Sequence, residues 1–460
     1  MDQLQSMRKL VKPDGDAHAR EDERQAQITG YISRDPALPE GQFNLCLYLL
    51  TVMVLMCHLT FSFVNNHYVR EFLRALRPNF EKKLGGLTKG LRLRMRGDLL
   101  DEVYEEAVAI SEEVIAAQPG LTTFGIDGHK DGRGRTLETF TKAKLGVSVF
   151  AGCEYMLTER ATGARMAVSV KRFILKEPHM YIAVVADNTG SNWSMFESLS
   201  QIALLSHMFF LGCCVHVLDL LVEDVAKLPK FSAMSKQAHE VIAFIKKHSI
   251  LYEEFLAAKA EQKIRSDLHL FPATRFAYLY LMLMSLHKTM SAVRVMSESG
   301  VYKLSKDIVR KRGGDEGKKA LEKFNSFEDI IDSRSFKTRL NLCASVLMPF
   351  SCALHYLEGD KVPISHVYPV YQALFSYVQG LKDEVDKSLQ DFLEESDIEK
   401  MIELVQTRWH GKTRTVGLKA NAHMLAFTLD PYAQAAVTSP TEPSCLLFNT
   451  EVHHRPSLDH

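Results

Sequence analysis

The stretch Tyr181-Ile-Ala-Val-Val-Ala-Asp-Asn-Thr-Gly-Ser-Asn192 constrains this chain more than any other. Five apolar residues run into Asp187, and the polar residues after it suit the cap of a helix starting near Ser191, because Asn and Ser side chains accept hydrogen bonds from free helix N–H groups. The pattern predicts a buried strand that delivers a carboxylate at its tip. A similar unit lies upstream, where Leu121 to Ile126 leads into Asp127 and Gly128 and then into the Gly-rich, basic segment Lys130 to Arg135. Two such aspartates at neighbouring strand ends could share a divalent cation, since hard Mg²⁺ prefers oxygen ligands. Turn chemistry alone also places aspartate at strand ends, so the pair carries weight only if the fold brings the two together.

Charge gives no shortcut to function. The 56 basic and 56 acidic side chains cancel, so no global field draws the chain to nucleic acid, and any such binding must come from local patches. With 46% hydrophobic and 24% charged residues, 460 residues suffice for two or three cores. The eight cysteines are scattered singly apart from Cys213-Cys214, without C-x-x-C pairs or a secretory leader, which suits reduced thiols in the nucleus or cytoplasm.

Taken in order, residues 1–43 are charged, contain Pro13, Pro36 and Pro39, and read as a disordered leader. A helical region is expected over 44–118. Its twenty-residue stretch from Leu45 to Val64 is apolar but for Thr51, His58, Thr60 and Ser62, and a helix of that length would reach roughly 30 Å, enough for a bilayer. The midregion His58 and the polar Asn65-Asn66-His67 leading into amphipathic Tyr68 to Leu76 favour a buried core helix over a membrane span. Lys82, Lys83, Lys89, Arg92, Arg94 and Arg96 form either a solvated helix face or a phosphate-contacting patch. Asp98 to Ala117 reads as an acidic amphipathic helix that stops at Gln118-Pro119-Gly120, the expected domain boundary.

Residues 119–226 read as a mixed sheet with helices against it. Leu145–Met156 and Arg165–Ile174 are expected to form a hairpin, followed by the Asp187 strand, a helix from Ser191 to His207, a strand from Met208 to Val215 and a helix from Val217 to Ala226. From 227 to 432 the apolar period is helical, over Glu240–Lys263, Thr274–Ser297, Phe336–Leu357, Val367–Leu393 and Asp397–Trp409. The remainder, 433–460, is polar and reads as a flexible tail. The fold class expected is therefore α/β plus all-α, with N-terminal helices first.

Several motifs, in order, resemble the hAT superfamily of DNA transposases, especially transposase-derived proteins with a middle domain of unknown function. His58-Leu-Thr-Phe-Ser-Phe-Val-Asn-Asn66 with Tyr68, Phe72 and Leu76-Arg-Pro78 resembles the segment before the catalytic domain. Gly125-Ile-Asp-Gly128 resembles the first catalytic-aspartate strand, and Val184 to Asn192 the second. Cys213-Cys-Val-His216 is similar to the family's Cys-x-x-His, and Pro272-Ala-Thr-Arg-Phe276 to the motif opening its helical insertion. Arg408-Trp409, His423 and Leu429-Asp-Pro431 resemble motifs near that insertion's end, so the resemblance runs from about 50 to 432.

The resemblance implies a ribonuclease H-like sheet interrupted by a large helical domain, and DNA cleavage by two aspartates and a glutamate around Mg²⁺. It makes Asp127 and Asp187 the catalytic metal ligands, Cys213 and His216 structural or DNA-positioning residues, and Arg275, Arg408 and Trp409 candidates for DNA contact. The chain departs from the pattern in four ways. Glu442 and Glu451 are poor substitutes for the family's glutamate and the dimerisation segment after it is missing; Lys176–Met180 is short for a crossover; His129 stands where Trp is common; and no zinc finger precedes the domain. The expectation is a transposase remnant that has lost catalysis and retains binding to DNA or to a protein partner, with small molecules not expected. Two alternatives stay open: an active Mg²⁺-dependent nuclease drawing its third acid from Glu223 or Asp224, and a non-catalytic interaction protein, membrane-anchored through 45–64.

Overall fold

A computed structural model describes residues 39–76, 79, 83, 91–131, 133–156, 162–270, 277–359, 362–383, 387–411, 418 and 421–438. Arg275, Glu442, Glu451, nearly all of the expected leader, most of the tail and Lys82 and Lys89 of the basic run lie outside them. The chain forms two compact units, 1–116 and 117–460.

In the first unit, α1 (Glu40–Met56) is followed by α2 (His67–Leu76), α3 (Leu91–Arg96) and α4 (Asp98–Ala116). Phe43, Leu47, Leu50 and Val54 recur on one face of α1 and pack with Val64, Met95 and Leu99. The twenty-residue helix expected over 45–64 is not formed. After Met56 the chain turns through His58, whose φ of 52° ends the helical path, and reaches a 3₁₀ turn at Phe63–Asn65. Lys83, from the basic run, pairs with Glu40 at 3.0 Å and lies over the Phe43 ring.

The second unit opens with the sheet. Strands β1 (Thr122–Lys130), β2 (Thr136–Lys144), β3 (Val147–Met156), β4 (Tyr181–Ala186) and β5 (Phe209–Gly212) lie in the order β3-β2-β1-β4-β5. β1, β2 and β3 are antiparallel neighbours, whereas β1, β4 and β5 run parallel. This order and these directions are consistent with a ribonuclease H-like fold. Leu145 and Gly146, both at positive φ, make the two-residue turn between β2 and β3, the geometry that matches strand twist.

The expected pairing of Leu145–Met156 with Arg165–Ile174 is corrected. The partner of β3 is β2, and Gly163–Ile174 is a helix, α5, capped by the Thr162 side chain, which accepts from the Arg165 N–H at 3.4 Å. Its buried residues Gly163, Met166, Ala167, Val170 and Ile174 follow the three-and-four spacing of a helix face. Met166 and Val170 pack on Phe124, Phe140 and Val184 of the sheet. α5 is therefore the crossover that carries the chain from β3 to the parallel β4, so the short Lys176–Met180 link does not have to supply one. α6 (Gly190–Ser200) makes the next crossover; it ends earlier than expected, before a 3₁₀ turn at Ala203–Leu205. β5 stops at Gly212, so the expected 208–215 strand is shorter, and α7 begins at Cys214 and runs to Ala226.

The helical region follows: α8 (Pro229–Lys247), α9 (Ser249–Glu261), α10 (Tyr278–Glu298), α11 (Gly300–Arg312), α12 (Gly314–Ile331), α13 (Phe336–Leu357), α14 (Val367–Gly380), α15 (Lys387–Phe392) and α16 (Glu395–His410). The helix expected over 240–263 is two helices meeting at His248, and the one expected over 367–393 ends at Gly380 before the short α15. α13 is long and apolar enough to cross a membrane, but its Leu340, Cys343, Leu347, Phe350 and Leu354 are buried in this body's core. α17 (Asn421–Leu429) then places Ala422 against Ala183 and Leu211, on the sheet face opposite α5 and α6. The Leu429-Asp-Pro431 motif opens α18 (Pro431–Thr438), with Asp430 accepting from the Tyr432 and Ala433 N–H groups.

Candidate two-carboxylate site

Side-chain alternation settles which face each aspartate occupies. Phe124 and Ile126 of β1 and Val184 and Ala186 of β4 share the core against α5 and α6, whereas Ala183 and Val185 face Ala422. Asp127 and Asp187 continue the second set. Ile126 pairs with Ala186 in parallel register, so the aspartates stand next to each other where β4 ends, while β1 runs on to Lys130 along β2. This is the juxtaposition that the sequence could propose but not show.

The loop after Asp187 is braced by its own side chains. The Thr189 N–H donates to the Asp187 carbonyl at 2.8 Å, Asn192 Nδ2 donates to the same oxygen at 2.8 Å, and Thr189 Oγ1 caps α6 by accepting from the Asn192 N–H. Asn188 Nδ2 donates to the Cys213 carbonyl at 2.9 Å, and the Cys213 N–H donates to the Ala186 carbonyl at 2.8 Å. Gly212 lies directly under the Asn188 amide, where a Cβ would collide with it. The β5–α7 junction is thus locked to the tip of β4, and Cys213 serves as a backbone anchor in that lock. Asn188 Oδ1 and Asn192 Oδ1 are buried without hydrogen-bond partners beside Asp187.

Electrostatics tie the same residues together. Burial pushes the Asp187 carboxyl above its usual range, the nearby Asp127 charge adds to the rise, and His216 opposes it. The Cys213 thiol is raised mainly by burial, with the charges of Asp187 and Asp127 contributing. His216 occupies the first turn of α7, and Asp219 and Glu223 follow on the same helix at three and seven positions. Burial, then the Glu223 charge, holds Asp219 above the carboxylate range. Nothing in the sequence singles out Asp219 beyond its i+3 spacing from His216.

The other candidates sit elsewhere. Arg408 forks onto Asp224, with Nε at 2.9 Å from Oδ2, and Lys227 reaches the same carboxylate at 3.1 Å. Trp409 is buried against Tyr368, Tyr371 and His423. Both residues therefore have structural partners within the helical body, and Asp224 is committed to an ion pair. Among the described residues, no group of three or more His, Cys, Asp or Glu side chains is arranged to hold a metal ion.

The donor set of Asp127 and Asp187 fits an oxygen-preferring divalent cation. Two like charges held side by side favour a cation between them, and Mg²⁺ typically takes one or two carboxylates and completes its shell with water and phosphate oxygens. The sequence matches no protein-family model, and comparison with curated proteins finds no significant match.

Proposed function

We propose that the chain is a hAT-type, transposase-derived protein whose ribonuclease H-like core keeps a two-carboxylate cation site and whose present activity is binding DNA without cutting it. The observation that carries this reading is the adjacency of Asp127, within β1, and Asp187, just past the end of the parallel β4, on one face of the sheet. Asp127 and Asp187 would hold Mg²⁺, which when bound would draw charge from a phosphodiester oxygen. The Asn188 and Asn192 bonds keep the Asp187 loop rigid, and the α7 first turn presents His216 to the same carboxylate.

Loss of cleavage is inferred from the acids that do not converge. Asp224 is tied to Arg408, and Glu223 lies 3.9 Å from the Lys227 ammonium. A cation held by two carboxylates alone lacks the anchoring that in-line attack on phosphorus demands. The test is incubation of purified protein with supercoiled plasmid and Mg²⁺ or Mn²⁺, beside Asp127→Asn and Asp187→Asn. The reading requires DNA retention at low salt without nicking above the level of the variants. Nicking that vanishes in either variant would establish an active nuclease instead.

A further inference from the structure

A cleft of about 590 Å³ opens between the first half of α8, the start of α13 and α15, a size usual for small-molecule sites, which span roughly 300–1,000 Å³. Arg339, in the first turn of α13, lines it. Its Nε is buried and donates to nothing, and among the described residues the Arg339 side chain has neither an ion pair nor a hydrogen bond. A cation drawn out of water without a counter-ion is costly, and a carboxylate gripped by the planar fork through two parallel hydrogen bonds removes that cost. Gln237 on α8 and Thr338 on α13 line the same cleft, and their side chains also have no partner among the described residues, which adds two kinds of donor to its lining.

The surroundings of the cleft sort anions by charge. Asp391 lines it, and Lys230, the other basic side chain in the lining, is held by Glu394 and Asp397 at 3.0 Å each. Three carboxylates thus outweigh one ammonium around Arg339, a field that repels a polyanion such as a nucleic-acid strand more strongly than a single negative charge. The accessible apolar surface comes from exposed Ala233 on α8 and half-buried Leu342 on α13, backed by Met234 and Phe392, which are only 2% and 7% exposed. One uncompensated guanidinium beside an apolar wall matches a molecule that carries one carboxylate on an apolar body.

We infer that this cleft binds a small organic monocarboxylate with an apolar body, its carboxylate resting on the Arg339 guanidinium, a ligand class not expected from the sequence. The inference rests neither on Asp127 and Asp187 nor on DNA binding. The experiment is isothermal titration of the full chain with benzoate, 3-phenylpropionate and octanoate, beside the neutral 3-phenylpropionamide, with inorganic phosphate and a twelve-nucleotide single strand as competitors. At least one of the carboxylates should bind at a single site, at least about tenfold more tightly than the amide, and Arg339→Gln should weaken it by a similar factor, the usual worth of a charge-assisted hydrogen bond. Asp391→Asn should strengthen binding by removing a repelling charge. Ala233→Trp fills the cleft from an exposed position and leaves Arg339 in place; it should abolish binding, and it replaces Arg339→Gln if circular dichroism shows that variant unfolded. Asp127→Asn/Asp187→Asn should bind the carboxylate as the native chain does, which separates this inference from the cation site. Binding of none of the carboxylates, equal binding of the amide, unchanged affinity in Arg339→Gln or Ala233→Trp, weaker binding in Asp391→Asn, or displacement of the carboxylate by phosphate or by the strand would overturn it.

Discussion

Asn188 reaches across from the tip of β4 to the Cys213 carbonyl at the start of α7, and its amide occupies the space above Gly212. One side chain thereby fixes both the loop that presents Asp187 and the helix that presents His216. Gly212→Ala should force the amide out and cost about 1–3 kcal/mol, the usual penalty for overpacking. It should also weaken divalent-cation binding. Gly128→Ala, within β1 where nothing stands near the added methyl, should do neither. Urea denaturation together with Mn²⁺ titration of the two variants checks both halves of this expectation.

The Asp187 carboxyl is held above its usual range by burial and by Asp127, which makes its charge a burden on the cation-free fold. For an acid raised in this way, folding favours the protonated form. The penalty is absent below the unfolded-state value near 3.8 and grows as pH rises through the folded-state value. Asp187→Asn should therefore melt at a higher temperature than the native chain at pH 7 in EDTA. The difference should shrink toward pH 3.5, and saturating Mn²⁺ should stabilise only the native chain. Thermal scans across this pH range with and without the metal read the effect.

Glu138 is a second strained acid, paired with Gly128 and on the sheet face opposite Asp127. It faces the core on β2 with 2% exposure; burial and then the Glu154 charge raise it to about 7, against the pull of Arg165. Its Oε2 has no partner, while Glu154 takes Arg165 and Arg172 at 3.0 Å each. A tenfold change in a carboxyl's proton affinity on folding is worth about 1.4 kcal/mol. Glu138→Gln should therefore stabilise the protein above pH 7 by roughly 3 kcal/mol at most, and by little below pH 4.5. Equilibrium unfolding at pH 8 and at pH 4.5 tests this, and equal stability of the two proteins at pH 8 would contradict it.

Arg408 and Asp224 are 13% and 21% exposed and join α16 to α7. Removing one partner strands the other in a poorly solvated place, so Arg408→Ala and Asp224→Ala should each cost about 1–3 kcal/mol, and the double substitution should cost less than their sum. DNA affinity should not change in Arg408→Ala once folding is controlled for. A loss of DNA binding without a loss of stability would restore Arg408 as a phosphate contact.

The sequence carries the parts of the fold that its periodicity writes plainly. The five apolar residues before Asp187 make β4 visible, and the helical period beyond residue 227 announces the all-α region. Two features mislead. Arg165–Ile174 is short enough for a helix face to pass as alternation, and its start lies in the capping hydrogen bond of Thr162. β2 is rich in Thr and Lys, including a buried Glu138 and Lys144, so the strand between β1 and β3 offers no apolar run to read. The roles of Asn188 and Asn192 depend on contacts with Cys213 and with the Asp187 backbone. Glu223 and Asp224 look equivalent as neighbouring acids, and only the approach of Arg408, 184 positions away, separates them.

Whether Asp127 and Asp187 act as one cation site is tested most directly by Mn²⁺ binding, measured by electron paramagnetic resonance on the native chain, Asp127→Asn, Asp187→Asn and the double variant. The native chain should hold Mn²⁺ at one site that competes with Mg²⁺. Each single substitution should weaken it at least tenfold, and the double should lose little more than either single. Mn²⁺ affinity that is indifferent to both substitutions, or that falls by independent and additive steps, would contradict a shared site.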